Sequence, residues 1–534
     1  MVDILIIGSG GAGLTAALAA KKEGATVTVV GKSCPTNSQT SMAQGGMNAA
    51  LGNVGEDDVT SHIADTIKSA HGLCDETMVK KMCEDAPKTI AWLESLGVPF
   101  SRLDNGKIGA QTIAQRQMGG ASAKRACYAQ DYTGLKILHT LYDTCLKEQI
   151  DFLDEHYLLN LIVENQTVKG ATFLDIRTGT VRQIDAKTVI MATGGYGSLY
   201  HGFTTNAYGS TGDGVAAVLR AGGAVSDMEF IQFHPTALKH SCILVSESAR
   251  GEGGYLLNES GKRFVDELKP RDEVARAIFS QMQEGERVFL DVRHLGEEKL
   301  MELLPQEVEL CKMHEHVDPA QELIPIKPVA HYTMGGIDVD QSLAVNGIKG
   351  CFAVGECSNA KVHGANRLGG NSLLEITALG KLAGENAYGY AQSADSQPAD
   401  DAQQQKDSVQ IEALLSQEEQ VNFYPYREML GNLFYEKVGI VRENEQLQEA
   451  LKEVGTIEAI RNEMGIADKS PENNQNLIEF LEFQNALLLA PIIISAAITR
   501  DESRGAHYKV GFEKEDEALQ KQIVLQLEKE EPCR

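Results

Sequence analysis

The sequence predicts an α/β protein. A Rossmann-like domain on a mainly parallel sheet is interrupted by an inserted α+β domain and followed by a helical C-terminal domain. Three observations predict it. The chain opens with a β-branched run, Ile4-Leu5-Ile6-Ile7, then Gly8-Ser9-Gly10-Gly11-Ala12-Gly13, then an Ala-rich helical stretch from Leu14 to Glu23. Two later apolar strands also run into glycine, Val189 to Gly195 and Gly350 to Glu356. Between these two lies a long segment with strands and helices of its own, and beyond residue 408 the pattern is mostly helical.

The opening stretch has the G-x-G-x-x-G spacing in its expected strand–turn–helix setting. Gly8 allows the tight turn, Gly10 lets the backbone approach a pyrophosphate, and Gly13 lets helix and strand pack closely. Phosphates then sit at the helix N-terminus, beside Gly11 and Ala12. The second strand, Ala25 to Val30, ends at Gly31-Lys32. A nicotinamide site usually places an acid there for the ribose, so FAD is the better expectation, with Lys32 a candidate contact. The polar, small-residue stretch from Ser38, Gln39 and Thr40 to Gly45 and Gly46 suits backbone lying along a ligand.

From Asp57 to Leu96 the pattern is helical, 101–133 is irregular, and 134–147 reads as a helix. Phe152 to Ile184 alternates as strands with turns at Glu164-Asn165 and Thr178-Gly179. The strand closing at Thr193 and Gly194 is followed by Thr211-Gly212-Asp213-Gly214, which opens another Ala-rich helix. Three glycine-ended strands imply one split domain folded about an extended cofactor. It takes in residues 1–227 and 346–391, with the inserted domain at 228–345, a polar linker at 392–407 and the helical domain at 408–534. In two-dinucleotide flavoproteins the acid after the last strand binds the ribityl chain, which points to Glu356. Asn371, Ser372 and Leu373, at the start of the next helix, complete the cofactor candidates. Ala486 to Thr499, broken by Pro491, reads as a buried helix pair too short to span a bilayer, and Glu513 to Glu531 as a charged terminal helix or tail.

Lys plus Arg is 49 and Asp plus Glu is 75, giving a net charge of −26. Such a surface repels nucleic acid and anionic lipid, so an anionic substrate needs a local cationic pocket. The ten cysteines are scattered without a C-x-x-C pair, which argues against iron–sulfur or zinc ligation and for a reducing compartment. The first strand begins at residue 3, so no secretory leader is expected, and the cytoplasm is the expected location.

Five stretches concentrate polar residues among glycines. They are Gln232-Phe233-His234-Pro235-Thr236, Ser246 to Gly254, Lys269-Pro270-Arg271-Asp272, His331 to Gly336 and His363 to Leu373. Loops placed on a scaffold carry function. These motifs, continued to Asp501-Glu502-Ser503-Arg504-Gly505-Ala506-His507, resemble the flavoprotein subunit of the fumarate reductase and succinate dehydrogenase family over nearly the whole chain. The resemblance implies an FAD domain, an inserted capping domain and a C-terminal helical domain. It implies that His234 and Ser246 hold one substrate carboxylate and His331 and Arg367 the other. It makes Arg271 the proton donor, with Glu247 and Arg250 as the relay that reprotonates it. Reduced flavin N5 would pass a hydride to one alkene carbon of fumarate and Arg271 would protonate the other.

Two departures matter. Relatives with covalent FAD use a His in Ser-His-Thr; here Gln39 stands in Ser38-Gln39-Thr40, so dissociable FAD and a bias toward fumarate reduction are expected. Met118 stands where some relatives place Phe against substrate. Succinate dehydrogenase is the nearer alternative. L-aspartate oxidase is the other, but its acid before Gly-Gly-His-Ser is missing in Gln117-Met118-Gly119-Gly120-Ala121-Ser122. A non-catalytic flavoprotein is disfavoured by the full cation set. Without cluster or haem ligands of its own, the chain is expected to receive electrons from an iron–sulfur subunit linked to quinol or thiol donors. Any membrane contact would come through such partners, at the inner face of the membrane.

Overall fold

In the computed structural model, residues 1–103, 112–394 and 397–527 are described. The central sheet has the strand Val2–Ile7 at its heart, parallel to Val27–Val30 on one side and to the long strand Thr180–Met191 on the other. Asp151–Leu153 and Cys351–Ala353 extend the parallel part. The first half of Thr180–Met191 pairs antiparallel with Thr167–Asp175, which pairs in turn with His156–Glu164. One long strand thus joins a parallel nucleotide-binding sheet to a β-meander. Its last turn delivers Thr193 and Gly194 beside the first glycine loop.

The helix Gly11–Lys22 packs beneath that loop because its small residues let it. A side chain at Gly13 would strike the carbonyl of Gly8, and one at Gly8 the carbonyl of Ala192. At Gly10 the nearest protein atom lies 3.5 Å away, so packing within the chain does not require glycine there. Ligand approach is the remaining reason for it.

A separate antiparallel sheet orders Ile231–Leu238, Ile324–Thr333, Val288–Asp291 and Tyr255–Asn258, with its own apolar core. The helices Glu247–Gly251, Arg271–Gln283, Glu297–Leu303 and Pro305–His314 belong to this inserted α+β part. A small sheet of Val225–Ser226, Gly336–Asp338, Ser358–Asn359 and Val524–Leu525 lies where the chain enters and leaves the insertion. The C-terminal part is helical, with Ala402–Ser416, Tyr424–Lys437, Asn444–Ala459 and Gln475–Thr499.

Two expectations are corrected. The linker ends early, because a helix begins at Ala402. Its first turns bury Asp407, which accepts hydrogen bonds from Thr172 Oγ1 and Asn160 Nδ2, and its apolar contacts begin only at Ile411, so apolar periodicity could not reveal the start. The expected helix pair is one helix, Gln475–Thr499, running through Pro491. Proline removes one backbone bond, but packing on most sides holds the helix. It is long and apolar enough to cross a membrane, and 72% of that apolar window is buried inside the protein. Of the terminal helix or tail expected from Glu513, the described residues take the second form, an extended strap with a 3₁₀ turn, Glu517–Leu519, and the strand Val524–Leu525. Gln520 and Gln522 pin it by donating to the carbonyls of Gly72 and Leu73. Residues 104–111 of the expected irregular stretch, two linker residues and the tail beyond 527, with Cys533, lie outside the described residues.

Candidate active site

Where the insertion meets the FAD domain, the structure brings together three arginines and two histidines from distant parts of the chain. Gln232 and His234 come from the strand Ile231–Leu238, and His331 from its partner Ile324–Thr333. Arg271 opens the helix Arg271–Gln283, Arg250 closes the helix Glu247–Gly251, and Arg367 comes from the loop before Asn371–Ala391. The guanidiniums of Arg271, Arg250 and Arg367 are almost wholly buried.

Glu247 organises the arginines. It accepts from Arg271 Nε at 2.9 Å and Nη2 at 2.6 Å, and its other oxygen lies 3.6 Å from Arg250 Nη2. That oxygen also accepts from the Gly119 N–H at 2.8 Å. Side chains at Gly119 or Gly369 would run into this carboxylate, so both positions must be glycine for Glu247 to sit there. Burial alone raises the Glu247 carboxyl; Arg271 and Arg250 outweigh it and hold it below the usual range. Gln232 Oε1 accepts from Arg271 Nη1 at 3.0 Å and from Arg367 Nη2 at 3.2 Å, holding two like charges side by side. The Arg367 guanidinium stacks 4.1 Å over the Tyr332 ring, and its Nε has no protein partner. Burial first, then Arg271, brings Arg367 down to about 10.

The histidines face each other, with ring centroids 4.9 Å apart. Burial, His331 and the arginines hold His234 well below the usual imidazole range, and burial and the arginines do the same to His331. Both rings are therefore held neutral. His234 Nδ1 lies 3.0 Å from the Thr236 carbonyl and 3.2 Å from the Thr236 N–H, and Thr205 Oγ1 lies 2.7 Å from His331 Nδ1. Each ring is thus fixed through Nδ1, which leaves its Nε2 edge for a ligand. Ser246 caps its helix, accepting from the Ser248 N–H at 3.1 Å. Met118 is buried, and a side chain at Gly45 would meet Met118 Cε at 2.6 Å and Ser246 Oγ at 3.9 Å. The loop predicted to carry the cofactor thus reaches the cation cluster.

The cofactor candidates divide into two sets. Ser38 Oγ and Thr193 Oγ1 are buried without a protein partner, and the helix Gly11–Lys22 has no side-chain cap. Thr40 Oγ1 accepts from the Gly11 N–H at 3.1 Å, leaving the N–H groups of Ala12 and Gly13 at an anion-binding helix end. The helix Asn371–Ala391 is likewise uncapped by a side chain, and it starts with Ser372 and Leu373 in its first turn. Glu356 accepts from the Thr333 N–H at 3.1 Å, and burial pushes it up to about 7. It reaches so close to Gly195 that no side chain fits there. These features fit a pyrophosphate and a polar chain.

In the second set the polar groups bond within the protein. Lys32 binds Asp213 at 2.7 Å and Glu482 at 2.6 Å, tying the loop to the helix Gln475–Thr499. The Asn371 carboxamide bonds Asn48, His62 and Thr66. Gln39 Oε1 accepts from the Ala207 N–H at 2.8 Å. Sequence reasoning had not given roles to Gln232, Tyr332 and Thr205. Gln232 was adjacent to the His234 motif, and only the fold reveals that it bridges two arginines.

A split FAD-type domain with a buried cation cluster at the insertion defines a flavin-dependent oxidoreductase acting on a small anion. Residues 3–373 match the family described as FAD binding domain, and residues 427–532 that described as fumarate reductase flavoprotein C-term. The 8-methylmenaquinol:fumarate reductase flavoprotein subunit of Wolinella succinogenes is 40% identical, over 97% of this chain and 87% of its own. The succinate dehydrogenase flavoprotein subunit of Rickettsia felis is 37% identical, over 96% and 90%. A solved structure of a mutated E. coli quinol fumarate reductase chain superposes with a TM-score of 0.90 at 36% identity, over 97% of this chain and 92% of that one. The chain belongs to the fumarate reductase and succinate dehydrogenase flavoprotein family.

Proposed function

We propose that the protein reduces fumarate to succinate as the FAD-carrying subunit of a larger complex. The observation that carries this is the buried cluster of His234, Arg250, Arg271, His331 and Arg367 in a chain of net charge −26. A flat dianion is the substrate that such a cluster recognises, since planar guanidiniums bond carboxylates bidentately.

His234 and the Ser246 hydroxyl bind one carboxylate; His331 and Arg367 bind the other. Met118 closes the apolar side, more loosely than an aromatic ring would. FAD, when bound, supplies the hydride. It is held through the first glycine loop, Ser38, Thr40, Gly45, Gly46, Thr193, Gly194, Glu356 and the N–H groups of Ser372 and Leu373. Lys32 and Asp213 brace that site. As negative charge builds on the substrate carboxylate, the cations stabilise it in a water-poor setting. Arg271 gives a proton to the neighbouring carbon from a guanidinium N–H that Glu247 and Gln232 leave free. Glu247 and then Arg250, which donates to the Glu267 carbonyl at 2.7 Å, lead the replacement proton inward.

Electrons reach the flavin through an iron–sulfur partner fed by a quinol or thiol donor, which keeps the protein in the cytoplasm or peripheral to the membrane. Anaerobic oxidation of a reduced viologen dye on adding fumarate tests the reaction. An FAD-loaded protein that leaves the dye reduced contradicts it, and oxygen-dependent consumption of L-aspartate instead points to the aspartate oxidase alternative.

The Gln39 carboxamide is not a nucleophile for the flavin ring, so FAD is held without a covalent bond. Acid precipitation of the loaded protein should leave yellow flavin in the supernatant. Flavin that stays with the denatured pellet contradicts this.

A further inference from the structure

A second buried polar cluster lies behind Ser246, between the inserted domain and the FAD domain. Glu307, in the first turn of the helix Pro305–His314, accepts from the Ser246 N–H at 2.7 Å. Its own N–H donates to Asp131 Oδ2 at 3.0 Å, across to the FAD domain. Two further bonds cross nearby, from Gln130 Nε2 to the Glu302 carbonyl at 3.3 Å and from Gln44 Nε2 to Gln306 Oε1 at 3.5 Å. Gln130 holds a left-handed backbone at φ 49°, and Arg116 donates to its carbonyl. Glu307 Oε2, Asp131 Oδ1 and two nitrogens of Arg116 are buried without a partner.

We propose that Glu307 is a positioning residue, an interdomain latch that couples seating of the inserted domain on the FAD domain to the placement of Ser246 against the substrate. This rests on the reading of Ser246 as a carboxylate ligand. The latch works through both ends of one residue. Its amide grips Asp131 on the FAD domain while its carboxyl fixes the backbone of the Ser246 cap. Separating the domains breaks the first bond and frees the second.

The latch is a charge-sensitive device. Burial pushes the Glu307 carboxyl up to about 8, and burial raises Asp131 as well. The charged and titratable groups around them are Arg116, Tyr128, Glu252, Tyr132 beside Asp131 and, on the Glu307 helix, Cys311. With its carboxyl pushed up to about 8, Glu307 is mostly neutral at pH 7. At pH 9 it carries a negative charge beside Asp131 and close to where a dianion binds, so binding weakens as pH rises through about 8.

The test uses FAD-loaded protein with Glu307→Ala and Glu307→Gln, since Gln still accepts from Ser246 but cannot ionise. Glu307→Ala should raise the KM for fumarate about tenfold, with kcat within about threefold, and should speed hydrogen exchange at the Ser246 amide. Glu307→Gln should restore both at pH 7. At pH 9 the wild-type KM should exceed that of Glu307→Gln about fivefold. A wild-type KM in Glu307→Ala, or a wild-type to Glu307→Gln ratio of one at pH 9, overturns the latch. If wild type itself does not turn over fumarate, the substrate reading fails, and the exchange arm still decides: unchanged Ser246 exchange in Glu307→Ala overturns the latch. Should Glu307→Ala not fold, the pH 9 comparison with Glu307→Gln decides.

Discussion

Arg271→Ala is expected to lower fumarate turnover by about 10³-fold or more while FAD stays bound. A positioned acid contributes about 10²–10⁴-fold, and here the same substitution also removes a positive charge from the site. Three bonds fix the Arg271 guanidinium, two to Glu247 and one to Gln232, so its remaining N–H groups have one direction to point. The substitution strands Glu247 in a buried pocket, which is costly to folding. Arg271→Lys is therefore the companion variant: it keeps the charge opposite Glu247 but cannot bond Glu247 and Gln232 together in the same fork. Turnover in Arg271→Lys should also fall steeply, with flavin content and the thermal midpoint near wild type. Turnover within tenfold of wild type in either variant would contradict Arg271 as the proton donor.

Arg367→Ala is expected to act on binding first. A hydrogen bond to a charged group contributes about 1.5–3 kcal/mol, so losing this carboxylate contact should raise the fumarate KM about 10- to 150-fold. Some loss of kcat should accompany it, because the substrate is also less well aligned. Arg367→Lys should rescue only in part. The Tyr332 ring supports a flat guanidinium 4.1 Å above it, and an ammonium loses both the stacking and the second donor. Steady-state kinetics with fumarate as the varied substrate checks this, and an unchanged KM would contradict the carboxylate clamp.

Much of this site was legible because its residue types are unusual where they stand. Arginines and histidines spaced between glycines in apolar surroundings are costly to bury unless something binds there. The glycine turn was legible because its spacing follows from packing, as the contacts of Gly8 and Gly13 show. What could not be read has physical reasons too. The helix Ala402–Ser416 buries Asp407 first and reaches its first buried apolar residue only at Ile411, so no apolar period marks its first turns. The helix Gln475–Thr499 survives Pro491 because surrounding packing overrides a local breaker. Gln232, Gly369 and Glu307 act through partners 39 residues or more away in sequence, and only tertiary structure brings those together. Lys32 reads as a cofactor contact beside the second strand; the fold instead bonds it to Asp213 and to Glu482, which is 450 residues on.

The most direct test of the account is the dye-linked reaction run in both directions on one FAD-loaded preparation without oxygen. Reduced viologen with fumarate measures reduction, and succinate with an oxidising dye measures the reverse. The cation cluster and the non-covalent attachment proposed from Gln39 together predict fast fumarate reduction with feeble succinate oxidation. Comparable rates in both directions would contradict the assigned bias and make this a dehydrogenase subunit; no reaction in either would contradict the dicarboxylate site itself.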